Sequence, residues 1–132
     1  MAPITKKLSD MDFSKYIGRK YEEYNCLDLV KEFYKDQFGL DVKNYFEGDV
    51  PSREQVGALI KTNKGDFVKV EGKSQFGDIV VIRLYGIACH LGVVLHGTKF
   101  LHSAKNIGSN IDRIERYSRL IEGYYRHQEL TA

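Results

Sequence analysis

A cysteine at the start of a predicted helix has the setting of an activated thiol. Cys26 follows Asn25, a favoured N-cap residue, in the stretch YEEYNCLDLVKEFYKDQFG. A helix N-terminus and a nearby imidazolium both lower the pKa of a thiol, because both favour the thiolate, which is the nucleophile. The alternative is that Cys26 is a small buried hydrophobe, since unpaired cysteines are among the most buried residues. A histidine partner would distinguish the two readings.

Three of the four histidines fall in one segment, HLGVVLHGTKFLHS, as His90, His96 and His102. If a three-residue loop joins Leu95 to Lys99, then His102 lies opposite Gly92 and diagonal to His90 on one face, at about 7–8 Å between Cα atoms. Gly92 would leave room for the two rings to meet. In that arrangement His90 is a general base and His102 orients it, which is the logic of a catalytic triad with a thiol nucleophile. A two-residue loop would place the histidines on opposite faces.

The same histidines allow a second interpretation, a zinc site. Four zinc-type ligands lie within fourteen residues: Cys89, His90, His96 and His102. Because Cys89 and His90 are adjacent in a strand, they point to opposite faces unless a bulge intervenes, so we expect no metal and no other cofactor. We expect Cys89 to be a buried core residue, His96 to be exposed at the turn, and His127 to lack a partner.

The remaining sequence predicts the elements that would position these groups. Apolar residues recur at helical spacing after the cysteine, Asp28 complements the helix dipole, and Gly39 ends the helix. A second helix is predicted over 51–63, where Ser52 and Gln55 have capping-box spacing. The later chain is typical of strands: FVKVEG, GDIVVIRLYG, CHLGVVLHGTKFLHSAK, IDRI and GYYRH, with RYSRLIEG as a short helix or a loop. Helices before strands indicate an α+β fold, with N-terminal helices packed on a central antiparallel β-sheet.

Size and composition indicate one globular domain over residues 1–132, with 1–16 as an N-terminal arm. The net charge of +2 is spread along the chain, so there is no basic stripe that would bind nucleic acid. No apolar run is long enough to span a membrane, and residues 1–12 lack the apolar run of a signal peptide. We therefore expect synthesis in a cytoplasm and two cysteines that remain thiols.

Three segments resemble the NlpC-like family of papain-type cysteine peptidases, which cut peptides of bacterial peptidoglycan. YNCLDLVKEFY is similar to the family's nucleophile segment, FGDIVVI to its Gly-Asp strand opening, and HLGVVLHGTKFLHSA to its histidine hairpin. The resemblance implies a papain-like fold in which Cys26 attacks an amide carbonyl, His90 carries the proton and His102 orients the imidazole. It also implies an oxyanion site at the backbone N–H of Cys26, helped by the Tyr24 hydroxyl. The alternative for Tyr24 is a packing role in the core, which is equally consistent with a tyrosine at this position.

The resemblance also implies a substrate and a setting. Most cell-wall members follow the cysteine with Ser-Gly, where this chain has Leu27 and Asp28, so the preferred stem peptide is left open. The run YIGRKYEEYNCLDLVKEFYKDQFGLDV is most similar to small bacteriophage tail-associated members. The expectation is therefore a D-Glu–diamino acid endopeptidase made in the host cytoplasm, carried in the virion with other tail proteins, and active in the periplasm or cell wall. The alternatives are a non-catalytic tail-tip protein with this fold and a secreted amidase effector.

Overall fold

The computed structural model describes residues 12–42, 67–84 and 87–130, and the side chains of 84 and 87–89 lie outside this description. Within these residues there are one α-helix and six strands. Their bounds are α1 Cys26–Phe38, β1 Phe67–Lys69, β2 Ile79–Leu84, β3 Ile87–Val94, β4 Lys99–Ala104, β5 Gly108–Arg113 and β6 Ile121–His127. Short 3₁₀ turns occupy Ser14–Tyr16, Ile114–Tyr117 and Gln128–Leu130. The predicted helix over 51–63 lies outside the described residues.

All six strands form one antiparallel sheet in the order β1-β6-β2-β3-β4-β5. The helix precedes the strands in the chain and packs on one face of the sheet, against β3 and β4. The predicted α+β class is therefore confirmed. The part of the chain described here contains no helix with both the length and the apolar composition to cross a membrane.

The helix begins and ends where the sequence predicts. Asn25 is the N-cap in extended conformation, and Gly39 follows the last helical residue in the left-handed conformation, with a φ of 67°. A side chain strains that conformation, which explains the glycine at this stop. The apolar stripe of Leu29, Val30 and Phe33 is fully buried. These features fix the first turn of the helix relative to the sheet beneath it.

The two faces of the sheet carry two buried clusters. We call the first the helix-side cluster; it joins α1 residues such as Leu29 and Phe33 to Leu91, Val93 and Leu101. We call the second the outer cluster; it contains Val80, Ile82, Val94 and Phe100, with Tyr117 and Tyr124 packed against it. Because side chains alternate along a strand, neighbours in β3 and β4 belong to different clusters.

A buried ion pair holds the centre of the sheet together at the predicted Gly-Asp opening of β2. Asp78 is fully buried, and its two carboxylate oxygens accept from Arg126 Nε at 2.8 Å and from Arg126 Nη2 at 2.9 Å. The N–H of Gly77 donates to the carbonyl of Val94, and the N–H of Val94 donates to the carbonyl of Asp78. A charge buried this deeply is tolerated only when it is paired, so Arg126 places β6 beside β2.

Candidate active site

Cys26 is the first residue of α1, and its side chain is buried. The N–H of Asp28 donates to Asn25 Oδ1 at 2.9 Å, and the N–H of Asn25 donates to Asp28 Oδ2 at 3.1 Å, which completes a capping box. The N–H of Cys26 lies at the helix end where such groups lack intrahelical acceptors and the dipole is positive. Glu22 and Glu23 are exposed. This end of the helix therefore favours negative charge on the sulfur or on an adjacent oxyanion.

The predicted histidine hairpin is formed by β3 and β4. Gly92 pairs with His102, and the N–H of Leu95 donates to the carbonyl of Lys99 at 2.9 Å, which confirms the three-residue loop. His90 Nε2 lies 2.8 Å from His102 Nδ1, a hydrogen-bond distance. The predicted meeting of the two imidazoles is thus confirmed. Nδ1 of His90 takes no part in this bond.

A third residue, Asp112, completes a chain of polar contacts that the sequence did not predict. Its Oδ2 lies 3.3 Å from His102 Nε2, and the same oxygen accepts from the Tyr117 hydroxyl at 3.2 Å. Asp112 pairs with Phe100 in the β4–β5 ladder, which places it diagonal to His102 on the same face. The usable signal was the predicted IDRI strand: once the β4–β5 register is known, strand parity places Asp112 beside His102.

Both imidazoles are neutral near pH 7. Burial, followed by the proximity of His102, lowers the pKa of His90 to about 3. Burial also lowers the pKa of His102, and it outweighs the opposite effect of the nearby Asp112 carboxylate. The contact between His102 and Asp112 is therefore a hydrogen bond from a neutral ring rather than an ion pair, and the His90 ring is unprotonated at neutral pH.

The N-terminus of α1 and the imidazole pair share one end of the sheet. Ser103, the neighbour of His102, donates from Oγ to the carbonyl of Tyr24 at 2.5 Å, two residues before Cys26. Cys26 belongs to the helix-side cluster, whereas His102 stacks on Phe100 at 4.4 Å between ring centroids, on the other face.

A β-bulge lies directly before His90. Ile82 of β2 pairs with His90, but the next residue, Arg83, pairs with Ala88, so Cys89 is an extra residue in β3. Bulges bend a strand, re-aim its side chains and are frequent beside active sites. Because β3 is not a regular strand at this point, strand parity does not separate Cys89 from His90, contrary to the expectation from the sequence. Within the described ranges, no three His, Cys, Asp or Glu side chains are grouped to hold a metal.

Comparison with known proteins agrees with this architecture. No family model matches the sequence, and no curated protein matches it. Among solved structures, the crystal structure of the NlpC/p60 domain of peptidoglycan hydrolase SagA is similar, with a TM-score of 0.59 over 86% of this chain and 91% of that chain. The chain has the NlpC/p60 fold. This confirms the predicted papain-like architecture, and at 15% sequence identity the likeness shows the fold alone.

Within the NlpC/p60 fold, Tyr24 has contacts that do not support the expected oxyanion role. Its hydroxyl donates to Glu32 Oε1 at 3.2 Å, and the Arg19 guanidinium lies 3.6 Å from its ring centroid. Glu32 is six residues beyond Cys26, a rise of about 9 Å along a helix. The hydroxyl is therefore engaged along the side of α1, and Tyr24, which is buried, packs in the helix-side cluster.

The other two histidines, His96 and His127, lie outside the His90–His102 pair. His127 is buried, packs edge-on against Phe67 at 5.1 Å between ring centroids, and accepts from the N–H of Glu129 through Nδ1. The prediction that it lacks a partner is therefore wrong. His96 is in the β3–β4 loop as predicted, but it is half-buried rather than exposed. The side chain of Cys89 lies outside the described residues, so its predicted burial stays a prediction.

Proposed function

We propose that this chain is a cysteine hydrolase of peptidoglycan stem peptides. The observation that carries the proposal is the His90–His102 pair, joined at 2.8 Å, at the end of the sheet to which the helix headed by Cys26 is tethered. The NlpC/p60 domain of similar fold comes from a protein named as a peptidoglycan hydrolase. A thiol at a helix N-terminus and a neutral imidazole at the same end of a sheet are the parts that nucleophilic amide cleavage requires.

In the proposed mechanism the reacting groups are the Cys26 thiol and His90 Nδ1, the imidazole nitrogen that is not bonded to His102. The Cys26 proton passes to Nδ1 as the sulfur attacks the amide carbonyl carbon, and the backbone N–H of Cys26 binds the oxyanion. The carbon–nitrogen bond then breaks, and His90 gives its proton to the leaving amine. A water molecule, deprotonated by His90, hydrolyses the resulting thioester and restores the thiol. Tyr24 has no part in these steps because Glu32 already holds its hydroxyl.

We further propose the bond and the setting. The resemblance favours cleavage between D-glutamate and the diamino acid, by a phage tail protein made in the host cytoplasm and carried in the virion to the wall. Its support is the similarity of residues 16–42 to small tail-associated members. Mass spectrometry of the proteins in purified phage particles tests the setting, and particles without this chain would contradict it.

Digestion of purified peptidoglycan, with the fragments identified by mass, tests the chemistry. We expect Cys26→Ala and His90→Ala each to reduce peptide release by at least about 10³-fold, because each removes a member of the reacting pair. Cys89→Ala and His96→Ala are the matched controls, since each removes a residue of the same type outside the proposed mechanism. Equal release by wild type and Cys26→Ala would eliminate the thiol mechanism.

A further inference from the structure

Asp112 stands behind the histidine pair, where no part of the proposed mechanism yet uses it. We propose that Asp112 is a positioning residue that sets which nitrogen of each imidazole carries the proton, so that Nδ1 of His90 is left as the base. This inference rests on the proposed function, because it assigns a role within the same site. It extends the thiol–imidazole pair to a four-residue chain of Cys26, His90, His102 and Asp112.

The contacts of Asp112 determine the protonation state of its carboxyl group. Oδ1 accepts from the N–H of Arg113 at 2.8 Å and lies 3.5 Å from Arg116 Nε, while Oδ2 accepts from the Tyr117 hydroxyl. Burial raises the pKa of Asp112, but the Arg113 N–H, His102 and the Arg116 charge together hold it below its ordinary value. Asp112 is therefore a carboxylate at neutral pH, and a carboxylate can only accept hydrogen bonds.

The ionised state of Asp112 determines which nitrogen of each imidazole carries the proton. Oδ2 of Asp112 lies 3.3 Å from His102 Nε2, so Nε2 must carry the proton of this bond. A neutral imidazole has one N–H, so His102 Nδ1 is an acceptor. His90 Nε2, at 2.8 Å, must then donate to it. The one remaining nitrogen of His90, Nδ1, holds a lone pair, which is the state a general base needs.

The surroundings keep this arrangement in place. The Tyr117 ring lies edge-on to both Phe100 and His102, at 5.6 Å between centroids in each case. Phe100 also stacks on the His102 ring, which is fully buried, so the three rings contact one another. His102 is thus fully buried against two aromatic rings that also contact each other, which restrains its ring while Nε2 faces Asp112. A locked ring with a fixed partner is what determines a tautomer.

Asp112→Asn is the sharpest test, because the same contacts dictate how the amide must lie. The Arg113 N–H and Arg116 both approach Oδ1, so the amide oxygen takes that place and the amide nitrogen takes the place of Oδ2. The Tyr117 hydroxyl, which donates to Oδ2 in the wild type, rotates to accept from this nitrogen. That nitrogen donates to His102 Nε2, which must now accept. The reversal passes along the chain: His102 Nδ1 donates to His90 Nε2, and His90 Nδ1 carries the proton. A protonated Nδ1 cannot take the thiol proton.

The full chain, labelled with ¹⁵N at histidine, allows both tautomers to be measured by long-range proton–nitrogen NMR spectra without substrate. We expect His90 and His102 to be protonated at Nε2 in the wild type and at Nδ1 in Asp112→Asn, with peptide release reduced by about 10²–10⁴-fold, the contribution of a general base. Glu115→Gln removes an exposed carboxylate three residues away and should change neither the spectrum nor the release.

Two results would overturn the inference. One is a wild-type His102 protonated at Nδ1, which needs no variant at all. The other is a folded Asp112→Asn protein whose two histidines keep the wild-type tautomers. A wild type that releases no peptide but shows the expected tautomers would instead overturn the hydrolase, because the tautomers are set without substrate. The failure of the one proposal is thereby distinguishable from the failure of the other.

Discussion

The absence of a side chain at residue 92 makes room for Phe100, the ring on which His102 stacks. A Cβ at Gly92 would be 2.5 Å from Phe100 Cδ2 and 2.9 Å from the Leu101 carbonyl oxygen. Phe100 in turn stacks on His102, so Gly92→Ala must displace the ring that supports the histidine. We expect a loss of about 1–3 kcal/mol in the free energy of unfolding, measured with urea, together with reduced peptide release.

The control for Gly92→Ala is another glycine within a strand. A Cβ at Gly123 meets the end of the flexible Lys69 side chain at 3.0 Å, which can move aside. Gly123→Ala should therefore cost much less than Gly92→Ala. Equal losses of stability from the two variants would contradict the packing role of Gly92.

At this scale, residue type and spacing were enough to predict Cys26, His90 and His102 as a group, but not Asp112. The His90–His102 contact depends only on the length of the β3–β4 loop, and both histidines and the loop lie within one short segment of the sequence. The contact with Asp112 depends on the next turn as well, where Asn106 adopts a positive φ of 72° and Ala104 pairs with Gly108. A residue other than glycine in that conformation is uncommon, so the turn and its register are not evident from the sequence.

At the scale of elements, one buried hydrogen bond ties the start of α1 to β4. Ser103 is fully buried, and its Oγ donates to the carbonyl of Tyr24. Ser103→Ala removes this donor from a buried carbonyl, so we expect a loss of about 1–3 kcal/mol in the free energy of unfolding. Peptide release should fall as well, because Cys26 is two residues from the tether.

Urea unfolding and peptide release of Ser103→Ala are best compared with those of Ser118→Ala. Ser118 is exposed in the turn before β6, and its loss should change the free energy of unfolding by less than about 0.5 kcal/mol. If Ser103→Ala retained full stability and full release, the tether would not position the helix. The cap itself was predictable because Asn25 and Asp28 are neighbours in the chain, whereas a bond between Tyr24 and a residue 79 positions away was not.

At the scale of the whole molecule, the order of strands was the least predictable feature. Alternating apolar residues predicted an antiparallel sheet, but they did not predict that β6 lies between β1 and β2. Although β5 directly precedes β6 among the strands of the chain, the two are far apart in the sheet. The contact that places it there is the buried pair of Asp78 and Arg126. Sequence periodicity reports which face of a strand is apolar, and it is silent about which strand lies alongside.

The whole protein should lose stability as the pH falls below neutrality. His90 has a pKa of about 3 in the folded protein and about 6.5 when unfolded, and the pKa of His102 is also lowered. Below pH 6.5 the unfolded chain binds more protons at these two positions, so the free energy of unfolding falls by up to about 1.4 kcal/mol per pH unit for His90 and for His102. Asp36 and Asp112, whose pKa values are also lowered, act only nearer pH 4. Urea unfolding between pH 6.5 and 5 therefore reports on the histidines. We expect the free energy of unfolding of His90→Gln to fall less steeply with decreasing pH than that of the wild type. An equal fall would mean that His90 is not buried as a neutral base.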